Sequence, residues 1–259
     1  MAFDYTQLQP DNGKYLTGYL IGLVNRGNWR KPYDWGTLVA WSWGVSRFID
    51  YFESDANKDV DAFKIGLTGH SRLGKATLVT MAYEPRISIS FPSSSGSLGV
   101  VQSRRHWGQD LSNSLWDQEY HWMAGNFMSY MGVDSSSLDG YMPRKVIRMK
   151  VDGESLLALC APRPIFIGSG DFVGDSWVDP YGQYLSCVAA SSIYELLGKK
   201  GIVMKDSMLW DDKKIPMPLT DKAYLDGDIG YRRHQGGHAA SPNYPAFAVF
   251  VNKYWNSNV

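Results

Sequence analysis

Apolar and polar positions along the chain alternate in a way that predicts short strands separated by amphipathic helices. A helix is expected over Trp35–Phe52, because apolar side chains recur there at steps of three and four residues. Short apolar runs with strand character begin at Phe63 and occupy Ile87–Phe91, Ile165–Gly168 and Ile229–Arg233. Strands that alternate with helices are typical of an α/β fold with a mostly parallel sheet.

Further helices are expected over Leu73–Glu84, Asp152–Leu159, Tyr181–Leu197 and Pro245–Trp255. Other segments are harder to assign. The apolar run Tyr15–Val24 suits either a strand or the start of a helix, because periodicity does not separate the two. Gly201–Met204 is a candidate strand. Lys205–Asp228 is expected to be an insertion, either a flap over the site or an ordinary surface loop.

Length and charge exclude several classes of protein. A chain of 259 residues has the length of one α/β domain. Lys and Arg number 26, as do Asp and Glu, so the zero net charge indicates no nucleic acid or anionic membrane as partner. No apolar run approaches the length of a membrane span. Ten Trp and sixteen Tyr suit a protein that stacks on sugar rings, although a large core would also account for them.

Cys160 and Cys187 both lie in apolar surroundings, and we expect buried thiols rather than a disulfide. Neither a C-x-x-C motif nor a cluster of His and Cys indicates a metal site, so no metal or cofactor is expected. The first residues, Met-Ala-Phe-Asp-Tyr, do not have the composition of a signal peptide. The oligomeric state is left open.

The stretch Gly69–Lys75, with the sequence Gly-His-Ser-Arg-Leu-Gly-Lys, carries the strongest chemical signal. An apolar run precedes it and a helical pattern follows it, so Ser71 is expected on a sharp strand-to-helix turn. Such a turn is the nucleophile elbow of α/β-hydrolases, which lifts a serine hydroxyl above the sheet beside a helix N-terminus. The match to G-x-S-x-G is offset, because the second glycine is Gly74 and position 73 is leucine.

A simpler alternative is that Ser71 only caps the helix. Two cations next to the serine, Arg72 and Lys75, favour catalysis, because they would stabilise negative charge on a substrate or transition state. The rest of the chain also fits, since α/β-hydrolases place their catalytic groups in the order Ser, acid, His. We therefore expect one α/β-hydrolase-like domain over residues 1–259.

His238 is the candidate general base, because it follows two glycines on a loop before the last predicted helix. The acid would hold this histidine in the correct tautomer. Asp171, Asp175 and Asp179 all follow the strand Ile165–Gly168. Asp179 precedes a proline and has the pattern of a helix N-cap, whereas Asp171 and Asp175 are not separated by pattern alone.

Together these residues resemble the glucuronoyl esterases, carbohydrate esterase family 15, whose elbow has the form G-x-S-R-x-G-K. Similar pieces over about residues 34–255 are Asp34–Gly36, Ala40–Gly44, His121-Trp122, Asn126-Phe127, Ala161–Pro164, Asp175–Pro180 and Gly237-His238. The resemblance implies a three-layer α/β-hydrolase sandwich. It also implies a serine esterase, without metal or cofactor, that cleaves 4-O-methyl-glucuronoyl esters between glucuronoxylan and lignin alcohols through an acyl-enzyme.

Catalytic roles follow from the resemblance residue by residue. Ser71 would be the nucleophile, His238 the base and Arg72 the oxyanion arginine. Many members carry the acid as a glutamate on the loop that here is Pro92–Gly96, which has no carboxylate. Some bacterial members have an aspartate two residues before the tryptophan of the sugar site. We therefore expect Asp175 to be the acid, with Asp171 as the second choice.

Substrate contacts are also implied by the resemblance. Lys75 matches the lysine that binds glucuronate hydroxyls, Trp177 the tryptophan that walls the sugar site, and Glu119 a glutamate that binds the sugar. The family has more strands before the elbow than 70 residues hold, so a shortened N-terminal side of the sheet is expected. The family is typically exported, which implies a secreted or periplasmic protein although the chain shows no signal peptide.

Two other functions are kept open. The first is an esterase for acetylated or other carbohydrate esters. The second is a non-catalytic, carbohydrate-binding remnant of the fold, which the missing loop carboxylate and the short N-terminal side would favour.

Overall fold

The computed structural model of the protein describes residues 2–54, 59–105, 107–109, 119–130, 146, 149–204 and 215–256. The chain divides into two compact units. The helical unit consists of Met1–Ala62 and Asp110–Lys150, and the sheet unit consists of Phe63–Gln109 and Val151–Val259. The expectation of a single domain over residues 1–259 stays a prediction.

The helical unit contains helix α1, Tyr19–Val24, and helix α2, Thr37–Glu53. The structure therefore resolves the ambiguity of the run at Tyr15–Val24 in favour of a helix. The predicted helix over residues 35–52 is confirmed as α2. Leu16, Ile21 and Ala40 form the buried core between these elements. Burial of these apolar side chains holds the two helices together.

A polar cluster completes the core of the helical unit. The carboxylate oxygen Oδ1 of Asp11 lies 2.9 Å from His121 Nε2 and accepts a hydrogen bond of 2.7 Å from Trp122 Nε1. His121 is almost fully buried. His121 and Asp11 therefore form a buried polar pair.

The sheet unit is built on five strands in the order β1-β2-β3-β5-β4. The strands are β1 (Ile65–His70), β2 (Ile87–Ser93), β3 (Ile165–Gly170), β4 (Ala223–Tyr224) and β5 (Ile229–His234). Strands β1, β2, β3 and β5 are parallel, and β4 pairs antiparallel with β5. The α/β class and the mostly parallel sheet are thus confirmed, and β1 is the first strand in the part of the chain that the structure describes.

Helices of the sheet unit follow the predicted bounds to within one residue at each end. They are α3 (Arg72–Tyr83), α4 (Gly153–Ala158), α5 (Pro180–Leu196) and α6 (Tyr244–Trp255). The core between the sheet and α6 is aromatic, and its buried members are Ile89, Phe91, Phe166, Phe247 and Phe250. No helix among the described ranges is long and apolar enough to cross a membrane.

The region after α5 differs from the prediction in two ways. Gly201–Met204 is not a strand, because it contributes only an isolated bridge between Ile202 and Ile229. The supposed insertion contains β4, so part of it extends the sheet. Residues 205–214, including Trp210, lie outside the described part of the chain. The interpretation of that segment as a flap or surface loop stays untested.

Both cysteines are free and buried, as predicted. Cys160 follows α4 and Cys187 lies within α5. Burial raises the pKa of the Cys160 thiol to about 12 and raises the pKa of the Cys187 thiol as well. Each thiol therefore behaves as a small apolar side chain at neutral pH.

Helix α3 packs on β2 so closely that a side chain has no room at their contact. A Cβ atom built on Gly74 would lie 2.5 Å from the backbone oxygen of Ser93. A Cβ on Gly69 would lie 2.3 Å from the backbone oxygen of Leu73. Backbone atoms cannot move aside as a flexible side chain can. This contact explains why the second glycine of the motif stands at position 74 rather than 73.

We predict that Gly74→Ala lowers the free energy of unfolding by about 1–3 kcal/mol, because the added methyl group overpacks the contact of α3 with β2. Urea denaturation followed by circular dichroism measures this. Gly125→Ala is the matched control, since its Cβ would meet nothing closer than 3.4 Å. Equal stability of Gly74→Ala and wild type would contradict the close approach of α3 and β2.

Candidate active site

Ser71 occupies a strained turn between the last residue of β1 and the first residue of α3. Its backbone has φ 59° and ψ −124°, a region that side-chain-bearing residues rarely adopt. Hydrogen bonds hold the turn: the Ser71 N–H donates to the Ser93 carbonyl at 2.9 Å, and the Lys75 N–H donates to the Ser71 carbonyl at 3.1 Å. The predicted strand-to-helix turn at Ser71 is confirmed.

The Ser71 side chain does not act as a helix cap. It accepts no hydrogen bond from the first turn of α3, although Ser71 occupies the N-cap position. A serine that only capped the helix would make that bond. The turn therefore strains the backbone and leaves the hydroxyl at the carboxyl end of β1, beside the N-terminus of α3.

His238 and Asp175 form a hydrogen-bonded pair at the same end of the sheet. His238 Nδ1 lies 2.7 Å from Asp175 Oδ1. The histidine follows β5 and its side chain is 27% exposed, whereas the aspartate follows β3 and is fully buried. A histidine that donates Nδ1–H to a carboxylate carries its lone pair on Nε2, which can then accept a proton. We assign this tautomer from the hydrogen-bond partners.

The second carboxylate oxygen of Asp175 is also satisfied. It accepts hydrogen bonds from Ser94 Oγ at 2.8 Å and from the Gly170 N–H at 2.9 Å. A buried carboxylate is stable only when hydrogen bonds replace its contacts with water. Three segments of the sheet unit therefore meet at the Asp175 side chain. They are the loop after β2, the end of β3 and the loop after β5.

The other two candidate aspartates have different partners. Asp171 accepts hydrogen bonds from the backbone N–H groups of Val173 and Gly174 within its own loop. Asp179 caps α5 by accepting from the Gly182 N–H, and it pairs with Arg105 Nε at 2.6 Å. Burial raises the pKa of Asp179, and its hydrogen bonds oppose that rise. The predicted N-cap role of Asp179 is confirmed, and Asp175 is the aspartate in contact with His238.

The loop that carries His238 is fixed by a second histidine. His234, at the end of β5, is buried with Nε2 3.1 Å from the Gly237 carbonyl. Its Nδ1 lies 3.1 Å from the side-chain amide of Asn243. A carbonyl only accepts and an amide nitrogen only donates, so His234 is neutral with its proton on Nε2. His234 thereby fixes the loop directly before His238.

Lys75 is more deeply buried than a lysine that only contacts substrate would be. Its side chain is 3% exposed. Its ammonium group donates to the carbonyls of Ser95 and Ser97, both at 2.6 Å, and to Gln109 Oε1 at 3.1 Å. These bonds fix the loop that follows β2. No sequence motif pointed to a role for Gln109, which only the fold brings next to Lys75.

The remaining candidates lie in different settings. Arg72 is an exposed residue at the first position of α3, directly after Ser71. Trp177 is 42% exposed, and its ring centroid lies 4.6 Å from that of His238. Glu119 belongs to the helical unit, where it precedes the short 3₁₀ turn Tyr120–Trp122. Its predicted contact with the sugar stays a prediction.

We predict that Ser94→Ala lowers the free energy of unfolding by about 1–3 kcal/mol, because a buried carboxylate loses one of its hydrogen bonds. Chemical denaturation measures the change. The matched control is Ser192→Ala in α5, which removes an exposed hydroxyl and leaves the carboxylate untouched. Equal losses in the two variants would show that Ser94 does not support Asp175.

Comparison with known proteins gives consistent matches. The family model "Glucuronyl esterase, fungi" matches residues 28–198. A carbohydrate esterase from an unknown prokaryotic organism is 33% identical over 205 residues, which cover 79% of this chain and 41% of that protein. A 4-O-methyl-glucuronoyl methylesterase of Wolfiporia cocos is 34% identical over 167 residues, covering 62% of this chain and 38% of that protein.

Solved structures agree over almost the whole chain. A CE15 glucuronoyl esterase from Teredinibacter turnerae superposes with a TM-score of 0.84 and 39% identity, covering 97% of this chain and 54% of that one. A glucuronoyl esterase from Solibacter usitatus gives a TM-score of 0.78 and 33% identity, covering 97% and 58%. The chain thus spans about half the length of these structures and about two fifths of the curated relatives.

Proposed function

The chain belongs to the glucuronyl esterase family, and on this premise we propose that it is a serine esterase for 4-O-methyl-glucuronoyl esters. The natural substrate would be an ester that joins glucuronoxylan to a lignin alcohol. The observation that carries the proposal is the 2.7 Å contact of His238 with the buried Asp175, at the end of the sheet where Ser71 forms its strained turn. We also propose that the protein is exported, because its polymeric substrate lies outside the cell.

The acylation step assigns each side chain a role. His238 Nε2 takes the proton of the Ser71 hydroxyl as the oxygen attacks the uronoyl carbonyl. The tetrahedral intermediate carries a negative oxygen, which the Arg72 side chain and backbone N–H groups at the start of α3 stabilise. His238 then donates its proton to the leaving alcohol, and the glucuronoyl group remains on Ser71 as an ester.

Deacylation repeats the same proton movements with water. His238 removes a proton from a water molecule that attacks the acyl carbonyl, and it returns that proton to Ser71 as the glucuronic acid leaves. Asp175 keeps the Nδ1–H of His238 bound throughout and stabilises the transient imidazolium.

In the free protein, the Ser71 hydroxyl makes no hydrogen bond to His238 among the described residues. Catalytic hydrogen bonds are often long before substrate binds and shorten in the complex. The exposed part of the His238 ring lets it reach the serine in that complex.

We predict that wild type hydrolyses benzyl glucuronate with a higher kcat/KM than 4-nitrophenyl acetate. Ser71→Ala is expected to abolish the activity, and Asp175→Asn to lower kcat by about 10³- to 10⁴-fold, because the histidine then loses the correct tautomer. Hydrolysis of both esters by the purified chain measures this.

Asp171→Asn is the matched control, since it changes an aspartate in the same loop whose partners are backbone N–H groups. An equal loss in Asp171→Asn would reject Asp175 as the acid. Activity on acetate alone would favour the alternative esterase, and no Ser71-dependent activity would favour a remnant of the fold.

Lys75 is proposed to contact the glucuronate ring in exchange for its longest hydrogen bond, the one to Gln109, while it keeps its bonds to the loop after β2. We predict that Lys75→Met lowers kcat/KM for benzyl glucuronate at least about tenfold more than for 4-nitrophenyl acetate. A difference of this size corresponds to the loss of about one charged hydrogen bond. Loss of the bonds that Lys75 makes to the loop would affect hydrolysis of both esters equally. Loss of a contact with the sugar would affect only benzyl glucuronate. Equal losses on the two esters would restrict Lys75 to support of the loop.

A further inference from the structure

The imidazole of His238 is in contact with two aromatic rings besides its hydrogen bond to Asp175. The ring centroid of His70 lies 4.3 Å away at an interplanar angle of 50°. The ring centroid of Trp177 lies 4.6 Å away at 48°. Both rings are close enough to His238 for direct contact, at or just below the lower end of the roughly 4.5–7 Å range of packed aromatic pairs. His238 is therefore restrained by ring contacts as well as by a carboxylate.

His70 is itself held rigidly. It is the last residue of β1 and the immediate neighbour of Ser71, so the strained turn fixes its backbone. Its Nδ1 lies 3.2 Å from Ser93 Oγ, at the end of the neighbouring strand. Burial lowers the pKa of His70, and the nearby His238 lowers it further. His70 is therefore an uncharged ring at neutral pH, fixed to the adjacent strands β1 and β2.

A single hydrogen bond does not fix an imidazole. The His238 ring could pivot about its contact with Asp175 and carry Nε2 away from Ser71. A ring packed against it removes that freedom without competing for either nitrogen. An uncharged ring also does not repel the imidazolium that forms during proton transfer, whereas a cation at this distance would.

We propose that His70 is a positioning residue of the esterase, whose ring packs on His238 and keeps its Nε2 directed to the Ser71 hydroxyl. The proposal rests on the proposed function and extends it to a residue outside the nucleophile, acid and base. His70 acts through His238 and exchanges no proton with the substrate. The Trp177 ring is the second ring that packs on His238, and part of the Trp177 side chain is exposed to solvent.

The test compares two substitutions of His70 by steady-state hydrolysis of benzyl glucuronate. We expect His70→Ala to lower kcat by about 10- to 100-fold, because a displaced catalytic group costs that much, while KM changes less than about twofold. His70→Phe keeps a ring against His238 and is expected to recover most of the lost kcat. A role limited to hydrogen bonding with Ser93 would not be recovered by phenylalanine.

Ile89→Val is the control for stability, since it removes one buried methyl group from the core at a distance from His238. It is expected to lower the unfolding temperature without lowering kcat. A kcat of His70→Ala equal to wild type would overturn the proposal. The proposal would also be overturned if kcat of His70→Phe were as low as kcat of His70→Ala.

A proton NMR measurement separates this proposal from the proposed function. The Nδ1 proton between His238 and Asp175 is expected at low field in wild type, lost by exchange in folded His70→Ala, and recovered in His70→Phe. This signal needs no substrate. If wild type hydrolyses neither ester, the esterase proposal fails, and the NMR signal still decides on His70. An absent signal in wild type, or an unchanged one in His70→Ala, would reject the positioning role.

Discussion

The buried carboxylate of Asp175 is the group on which the arrangement of the site depends. It has no contact with water, so its two oxygens must be satisfied by the protein. The donors come from Ser94 after β2, Gly170 at the end of β3 and His238 after β5. These three strands are adjacent in the sheet, and only their parallel order brings all three carboxyl ends to one place. The pairing of these strands therefore assembles the partners of Asp175.

Hydrogen bonds within the loops make this arrangement rigid before any substrate arrives. Lys75 fixes the loop after β2 by donating hydrogen bonds to two backbone carbonyls of that loop. His234 fixes the loop after β5 through a hydrogen bond with the Gly237 carbonyl. The loop after β3 joins the loop after β5 through a bridge between Gly174 and Gly237. Such support holds reacting groups in place without a cost in ordering at the moment of reaction. Residues other than the nucleophile, acid and base thus hold the loops of the site in place.

Much of the fold could be predicted from the sequence because the strands and helices have strong apolar patterns. Helix α2 and the parallel strands are long enough for periodicity to identify them. The two-residue strand β4 is too short to leave a pattern, and the apolar segment Gly201–Met204 contributes only the isolated bridge of Ile202 with Ile229. The turn at Ser71 could be predicted because its glycines are required by the close approach of α3 to β1 at Gly69 and to β2 at Gly74.

The partners within the site could be predicted only in part. Pattern alone left Asp171 and Asp175 equivalent, because the path of a loop decides which carboxylate turns inward. The burial of Lys75 and its contact with Gln109 could not be foreseen, since the two residues are joined only by the folded loop between them. The pairing of His121 with Asp11 was missed for the same reason, as the two are far apart in sequence.

The two cysteines give the protein a chemical property that its catalytic groups do not. A thiol reacts with oxidants, disulfides and alkylating reagents through its thiolate, and burial of Cys160 and Cys187 suppresses both ionisation and access. Neither thiol can then exchange with foreign disulfides while the chain is folded. Formation of this fold therefore requires no disulfide between the two cysteines, and their thiols are protected from reagents in solution while the chain is folded.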